Sequence, residues 1–216
     1  MKITKLVHSC IIIELDNKKI LVDPGVYSWQ NETVKSANFS NISAVVITHN
    51  HPDHLNNDFA DAIKEASPNA TWYGTKQVAE QLVNLNIECH TESQDASVQI
   101  IASEHADLSP WFDEQPEHTS FLLFSEVLIS GDCQTLNDSH GARILAGAIN
   151  GGPWGAVVGF SKMIESMEDR PKIVLPLHDW HWNEEARNAI YSKLPEVMNK
   201  FNVDFIPLEN GVAKEF

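Results

Sequence analysis

Residues 42–54, with the sequence ISAVVITHNHPDH, join a short apolar run to a dense group of metal-type ligands. The run is rich in Val and Ile, which is typical of a buried strand. Three imidazoles and one carboxylate then occupy the six positions from His49 to His54. Imidazole nitrogens and carboxylate oxygens are donors that zinc and similar divalent ions accept. Because burying so many polar groups without a cation would be costly, the segment predicts a metal site at a strand end.

Three later apolar runs are also followed by a candidate ligand. VQIIA precedes His105, VLIS precedes Asp132 and KIVLPL precedes His178. Each run has the length and composition of a buried strand, so each ligand is expected just past a rigid strand end. The ligand loop can point His49 and His51 one way and Asp53 and His54 another. The sequence therefore makes two metal ions plausible.

The ligand-rich segment THNHPDH resembles the His-x-His-x-Asp-His signature of the metallo-β-lactamase superfamily. The similarity extends through the chain in HSCIIIELDNKKILVDPG (8–25), SEH (103–105), ISGDC (129–133) and LPLHDW (175–180). This resemblance implies an α/β fold, a four-layer αββα sandwich with the site along one edge of its two sheets. Within the superfamily the chain is most similar to the branch that contains the phosphorylated-ascorbate lactonase and related metal-dependent hydrolases.

The resemblance also implies a set of ligands in this chain. Carried over residue by residue, it assigns His49, His51 and His105 to a first ion. It assigns Asp53, His54 and His178 to a second ion, with Asp132 as the bridging carboxylate, and it makes Asp53 and Asp132 the candidate catalytic residues. The expected cofactors are two divalent ions, zinc first, with manganese or iron as alternatives.

Such a site indicates hydrolysis without a serine or cysteine nucleophile. Metal binding lowers the pKa of water from 15.7 toward ~7, so a hydroxide bridging two ions can attack near neutral pH. We therefore expect a hydrolase that acts on an ester, lactone or related bond of a small metabolite, including anionic ones. The alternatives are a phosphodiesterase or nuclease of the same superfamily, and a metal-containing sensor without turnover.

Composition limits the partners and the compartment. The chain of 216 residues is 43% hydrophobic and 21% charged, which predicts one globular domain spanning 1–216. Its formal charge of −15 disfavours nucleic acid as a partner, and no apolar stretch approaches the ~20 residues of a membrane helix. The start shows no secretory pattern and the three cysteines no paired spacing, so we expect a soluble cytoplasmic protein that could form a homo-oligomer.

Several residues near the candidate ligands have competing interpretations. Asp23 is either an acceptor that orients a ligand imidazole or a turn residue before Pro24. His8 is a candidate lining residue. His118 and His181 could serve as proton donors or substrate contacts, although a structural or solvated role is the simpler interpretation. Trp111 and Phe112 are pocket walls or loop anchors, and Cys133 is predicted as a buried thiol that points away from the metals.

The patterns also predict the elements that carry these residues. Strands are expected over 2–8, 10–16 and 18–24, with a tight turn at Asp16–Asn17, and a loop is expected from Tyr27 to Phe39. Further strands are expected over 70–74, 98–102, 119–124, 127–129, 144–149, 172–177 and 203–207. Helices are expected over 57–66, 75–85, 157–167 and 183–200, the last interrupted or restarted near Pro195.

Overall fold

The computed structural model describes residues 1–31, 34, 39–110, 112–150 and 157–216. The chain forms two compact units, Met1–Gln94 with Leu208–Phe216, and Asp95–Pro207. Each unit contains one β-sheet and its own helices, which confirms the mixed α/β class. One domain over residues 1–216 stays a prediction.

The first unit has a seven-stranded sheet in the order β13-β1-β2-β3-β4-β5-β6. Strands β13, β1, β2 and β3 are antiparallel, whereas β3 to β6 are parallel. The strands are β1 Lys2–Val7, β2 Cys10–Leu15, β3 Lys18–Val22, β4 Ala44–Val46, β5 Thr71–Tyr73, β6 Cys89–His90 and β13 Ala213–Glu215. The helices are α1 Val26–Trp29, α2 Asn57–Ala66 and α3 Lys76–Val83.

Local sequence accounts for the turns and helix starts of this unit. Asp16 and Asn17 have φ values of 50° and 63°, as a two-residue hairpin turn of type I′ requires, and these residue types tolerate that conformation. The side chain of Asn56 accepts the backbone N–H of Phe59 and so caps α2. Helix α2 then buries Phe59 and Ile63 in the apolar cluster of the unit. The predicted turn and the predicted helix over 57–66 are confirmed.

The second unit has a six-stranded sheet in the order β12-β11-β10-β9-β8-β7. Strands β9 to β12 are parallel, and β7 and β8 are antiparallel to their neighbours. The strands are β7 Val98–Ala102, β8 Thr119–Leu123, β9 Val127–Gly131, β10 Ile144–Ala148, β11 Ile173–Leu177 and β12 Asp204–Phe205. The helices are α4 Val157–Ser166 and α5 Glu184–Asn199.

Every residue of β8, β9 and β10 is buried, as expected for central strands. Their side chains pack with residues of α4 and α5, including Phe160, Met163, Leu194 and Met198. Across the described ranges, no helix combines the length and apolar character needed to cross a membrane.

Two details of the predicted secondary structure are wrong. Helix α5 continues through Pro195, because Leu194 and Met198 on either side of the proline remain buried in the core and outweigh the lost backbone hydrogen bond. The loop predicted from Tyr27 begins inside helix α1 instead. Of that loop, residues 32–33 and 35–38 lie outside the described part of the chain.

Candidate metal centre

The ligand loop of the first unit, defined here as His49–His54, is held by the segment that follows β3. The backbone N–H of Val26 donates to Pro52 at 2.8 Å, and that of Asn56 donates to Pro24 at 2.9 Å. A Cβ built on Gly25 would lie 1.7 Å from the carbonyl oxygen of Asp53. Only glycine permits this approach, so Gly25 lets the two segments come together.

Asp23 and Thr48 fix the imidazoles of this loop. The two carboxylate oxygens of Asp23 accept the backbone N–H of Thr48 at 2.8 Å and its hydroxyl at 2.9 Å. Asp23 Oδ2 also lies 2.9 Å from Nδ1 of His54, and Thr48 Oγ1 lies 3.0 Å from Nδ1 of His49. The prediction that Asp23 orients a ligand imidazole is therefore supported by a direct contact, and Asp23 is 1% exposed. Thr48 was not singled out in the sequence, because its position before a histidine does not show which groups it bonds.

These contacts determine which ring nitrogen carries the proton. A carboxylate only accepts hydrogen bonds, so Nδ1 of His54 is the donor. The Thr48 hydroxyl already donates to Asp23, so it accepts from Nδ1 of His49. Both rings are therefore protonated on Nδ1 and carry the coordinating lone pair on Nε2, as expected when a neighbouring acceptor sets the tautomer of a ligand histidine.

Nε2 of His49 lies 3.0 Å from Nδ1 of His51. Two lone pairs at this distance repel unless a proton or a cation lies between them. Two nitrogens bound tetrahedrally to zinc at 2.0–2.1 Å would be about 3.3 Å apart. The spacing of the two rings is therefore close to that of a shared ion.

Asp53 and His54 lie at the end of the same loop. Asp53 Oδ2 is 3.9 Å from Nε2 of His54 and 3.2 Å from Nε2 of His8. Each of the three residues offers one ligand atom, and these atoms lie within 4.8 Å of one another. His8 and His54 are buried, and Asp53 is partly buried.

The second unit brings its three candidate ligands together from three strand ends. Asp132 Oδ2 lies 3.5 Å from Nε2 of His105 and 3.3 Å from Nε2 of His178. Nδ1 of His105 donates to the carbonyl oxygen of Ala106 at 2.7 Å, so its lone pair also lies on Nε2. All three ligands are less than 9% exposed. The three residues therefore lie close together within this unit, and their role as ligands stays a prediction.

His118 has a structural role. The backbone N–H of Asp132 donates to Nε2 of His118 at 3.1 Å, so Nδ1 carries the proton and donates to Oγ of Ser103 at 2.8 Å. The hydroxyl of Ser120 donates in turn to Ser103 at 2.9 Å. Because both ring nitrogens are used in this way, His118 fixes the backbone that carries Asp132 and is not arranged to ligate.

A second network holds the turn after β11. His178 there has a φ of 65°, a left-handed conformation that needs support from its surroundings. The carboxylate of the next residue, Asp179, accepts the hydroxyl of Tyr191 at 2.7 Å and lies 3.3 Å from Nε of Arg187. Burial and the charge of Asp179 raise the pKa of Tyr191, which keeps the phenol protonated as a donor. The sequence did not reveal this network, because no pattern in it pairs Tyr191 and Arg187 of the following helix with Asp179.

The remaining residues of interest have varied outcomes. Cys133 is 1% exposed and packs in the apolar cluster of the second unit, which confirms the prediction of a buried thiol. The ring centroid of His181 lies 5.9 Å from that of His178. Phe112 is 53% exposed, so it is not an anchor buried in the core. Trp111 lies outside the described residues.

The donor chemistry of both units fits divalent metal ions. Each unit presents buried imidazoles whose Nδ1 is held by an acceptor, close to at least one carboxylate. Imidazole and carboxylate are ligands of zinc, and the groups that hold their second ring nitrogens are those found around metal sites. The chain thus carries His/Asp clusters that could bind metal.

Comparison with known proteins agrees with this chemistry. The model of a family described as "Beta-lactamase superfamily domain" matches residues 18–146. Protein Rv0786c of Mycobacterium tuberculosis is 25% identical over an alignment that covers 99% of this chain and 100% of that protein.

Two solved structures share the fold. Igni18, a metallo hydrolase from the archaeon Ignicoccus hospitalis, has a TM-score of 0.68 at 16% identity, covering 100% of this chain and 98% of that one. The metallo-β-lactamase fold protein YhfI of Bacillus subtilis has a TM-score of 0.65 at 13% identity, covering 99% of both chains. These likenesses confirm the predicted fold class. Because the family model spans more than half of the chain, this protein belongs to the β-lactamase superfamily.

Proposed function

We propose that this metal-dependent hydrolase of the β-lactamase superfamily binds two divalent ions and cleaves an ester, lactone or related bond of a small metabolite. One ion would be held by His49, His51 and His105. The other would be held by Asp53, His54 and His178, with Asp132 shared between the two. The order of these ligands along the chain and the family signature support this assignment.

The observation that carries the proposal is the uniform tautomer of three candidate ligands. Nδ1 of His49, His54 and His105 each meets an oxygen that accepts its proton. Nε2 is therefore the coordinating nitrogen in all three rings, although they come from separate stretches of chain. His118 also carries its proton on Nδ1, but its Nε2 accepts the backbone N–H of Asp132 at 3.1 Å. In the three candidate ligands Nε2 instead lies near another candidate ligand atom.

Bound divalent ions would supply an acidified water for attack and would stabilise negative charge that develops on the substrate oxygen. The protein's own groups prepare the site for this chemistry. Asp23 accepts a hydrogen bond from Nδ1–H of His54, and the Ala106 carbonyl accepts one from Nδ1–H of His105. Both rings are thereby oriented, with Nε2 near another candidate ligand atom. His118 holds the backbone of Asp132, so the shared carboxylate is in place before substrate arrives.

Zinc is the ion that we propose first, because most of the assigned ligands are imidazoles. A small uncharged or anionic metabolite is the proposed substrate class, and the formal charge of −15 supports the proposal that nucleic acid is not a partner. We further propose that the protein works in the cytoplasm, since Cys10, Cys89 and Cys133 are all free thiols, as is usual in a reducing compartment.

Substrate screening tests the proposal. Zinc-loaded protein is assayed against lactones, esters, thioesters, phosphodiesters and β-lactams, beside chelator-treated protein and the Asp132→Ala variant. Asp204→Ala is the matched control, because Asp204 is an exposed carboxylate on β12 of the same unit. We expect turnover of a lactone or ester that falls at least 100-fold in Asp132→Ala and stays unchanged in Asp204→Ala.

The other outcomes point to the alternatives. If only phosphodiesters are hydrolysed, the protein is a phosphodiesterase and the proposed ester or lactone substrate is wrong. Metal binding with no turnover above the Asp132→Ala level for any of these classes would favour a sensor. Turnover that survives complete removal of metal would contradict the proposed chemistry.

A further inference from the structure

We propose that His8 is an additional protein ligand of the ion assigned to Asp53 and His54, beyond the ligands of the family signature. The inference rests on the proposed function, because it needs that ion to be bound. It concerns the first unit alone. His8 would be the third side chain of that unit to coordinate the ion, and it would do so through Nε2.

The backbone at His8 adopts a left-handed conformation that is unfavourable for histidine, so contacts of its side chain are needed to stabilise it. His8 lies in the two-residue link between β1 and β2, where Val7 pairs with Cys10, and has a φ of 60°. A positive φ at this position of a tight hairpin is usually supplied by Gly, Asn or Asp. Residues held in such conformations cluster at functional sites, since the surroundings must stabilise them.

The neighbours of His8 hold its ring in a defined place. The hydroxyl of Ser28 donates to the carbonyl oxygen of Val7 at 2.8 Å, which anchors the chain just before the turn. The ring of Tyr27 meets the ring of His8 edge-on, with centroids 5.3 Å apart. His8 is 1% exposed. The imidazole is therefore buried, and its Nε2 lies 3.2 Å from Asp53 Oδ2.

The distances suit coordination of one ion. Ligand atoms that each lie 2.0–2.2 Å from a metal are about 3–4.4 Å from one another. Asp53 Oδ2 is 3.2 Å from Nε2 of His8 and 3.9 Å from Nε2 of His54, both inside this range. The three ligand atoms also lie within 4.8 Å of one another. An ion beside Asp53 and His54 would thus lie within reach of His8.

The competing role for His8 is a hydrogen bond from Nε2–H to Asp53 Oδ2, which would only position that carboxylate. The two roles differ in the proton. A ligand gives its Nε2 lone pair to the ion and carries its proton on Nδ1, whereas a hydrogen-bond donor keeps the proton on Nε2. A side-chain amide can replace the donor but is a poor substitute for an imidazole ligand.

Cobalt(II) titration of the full-length chain separates these roles, because visible absorption of the bound ion reports its ligands. The informative variant is His8→Gly, since glycine accepts the positive φ and the fold should be kept. His8→Gln retains an amide donor. His90→Ala is the matched control, a partly buried histidine of the same unit on β6. Unfolding curves of the metal-free proteins show whether each variant is folded.

We expect wild type and His90→Ala to bind two cobalt ions with the same spectrum. His8→Gly and His8→Gln should both bind one of the two ions 10- to 100-fold more weakly, with altered visible bands, while metal-free His8→Gly is at least as stable as wild type. Added imidazole should restore the spectrum of His8→Gly. His8→Gln binding both ions as wild type does would overturn the inference and leave a positioning role.

Failure of the proposed function gives a different result. Wild type that binds no cobalt, or a single ion, would contradict the two-ion proposal itself. Wild type that binds two ions with His8→Gly unchanged would overturn only the role of His8.

Discussion

The two units support their candidate ligands in different ways. In the first unit four candidate ligands follow one strand within six residues, and one linked pair of groups, Asp23 and Thr48, fixes the tautomers of His49 and His54. In the second unit each of three candidate ligands follows a different strand, and separate groups support them. His118 bonds the backbone of Asp132, and Tyr191 bonds the residue that follows His178. A ligand loop of this kind can be recognised in a sequence, whereas supports spread along a chain appear only in the fold.

The largest effect is expected from Asp23→Ala, which removes the acceptor shared by Thr48 and His54. Three buried donors would lose their partner at once, so the free energy of unfolding should fall by about 3–5 kcal/mol. Metal affinity should fall by roughly 10- to 100-fold through the loss of His54 orientation. Chemical unfolding and zinc titration check both values. Asp61→Ala, an exposed carboxylate on α2, should match wild type, and an equal loss in both variants would show that Asp23 has no special role.

Gly25→Ala should have the next largest effect, because the new methyl would meet the Asp53 carbonyl at 1.7 Å. The ligand loop must then move, and the free energy of unfolding should fall by ~3 kcal/mol, together with a loss of metal affinity. Gly141→Ala is the control. Its φ of 78° penalises alanine by about 1–2 kcal/mol, but nothing lies within 4 Å of the added Cβ. Metal titration of the two variants separates the effect of the clash from that of backbone strain. A Gly25→Ala variant with wild-type metal affinity would show that Gly25 does not position the ligand loop.

His118→Asn tests the more dispersed supports of the second unit. The shorter side chain cannot span Ser103 and the backbone of Asp132, so the free energy of unfolding should fall by about 2 kcal/mol and metal affinity about 10-fold. His140→Asn serves as the control, because His140 is exposed and asparagine tolerates its φ of 52°. If zinc titration shows that His118→Asn binds metal as tightly as wild type, the hydrogen bond from Asp132 to His118 is not needed to position Asp132.

Tyr191→Phe should have the smallest effect, about 1 kcal/mol of unfolding free energy, because it deletes one hydrogen bond to Asp179. The raised pKa of Tyr191 gives the sign of the pH dependence. The phenol contributes fully below its unfolded pKa of about 10, and its contribution is lost as pH rises further. Unfolding measured from pH 6 to 9 should therefore show a constant difference from wild type that shrinks above pH 10. A difference that already changes near pH 7 would contradict this assignment.

The same contrast explains how much the sequence could predict. The seven candidate ligands follow apolar runs, so run composition and residue type predicted that they come after strand ends. Asp23 was also recognisable as an orienting group, because a carboxylate at a strand end can accept an imidazole N–H. His118 and Tyr191 were not, since their partners are a backbone N–H and a carboxylate that only the folded chain brings near. The continuity of helix α5 through Pro195 was missed for a related reason, as core packing outweighed local propensity.

Anomalous diffraction from crystals of the zinc-loaded chain tests the central claim most directly. We expect two zinc peaks per chain, about 3.5–4 Å apart. Asp132 should contact both ions, and Nε2 of His49 and of His105 should bind the same ion. Two well-separated peaks, a single peak, or zinc bound away from these residues would contradict it.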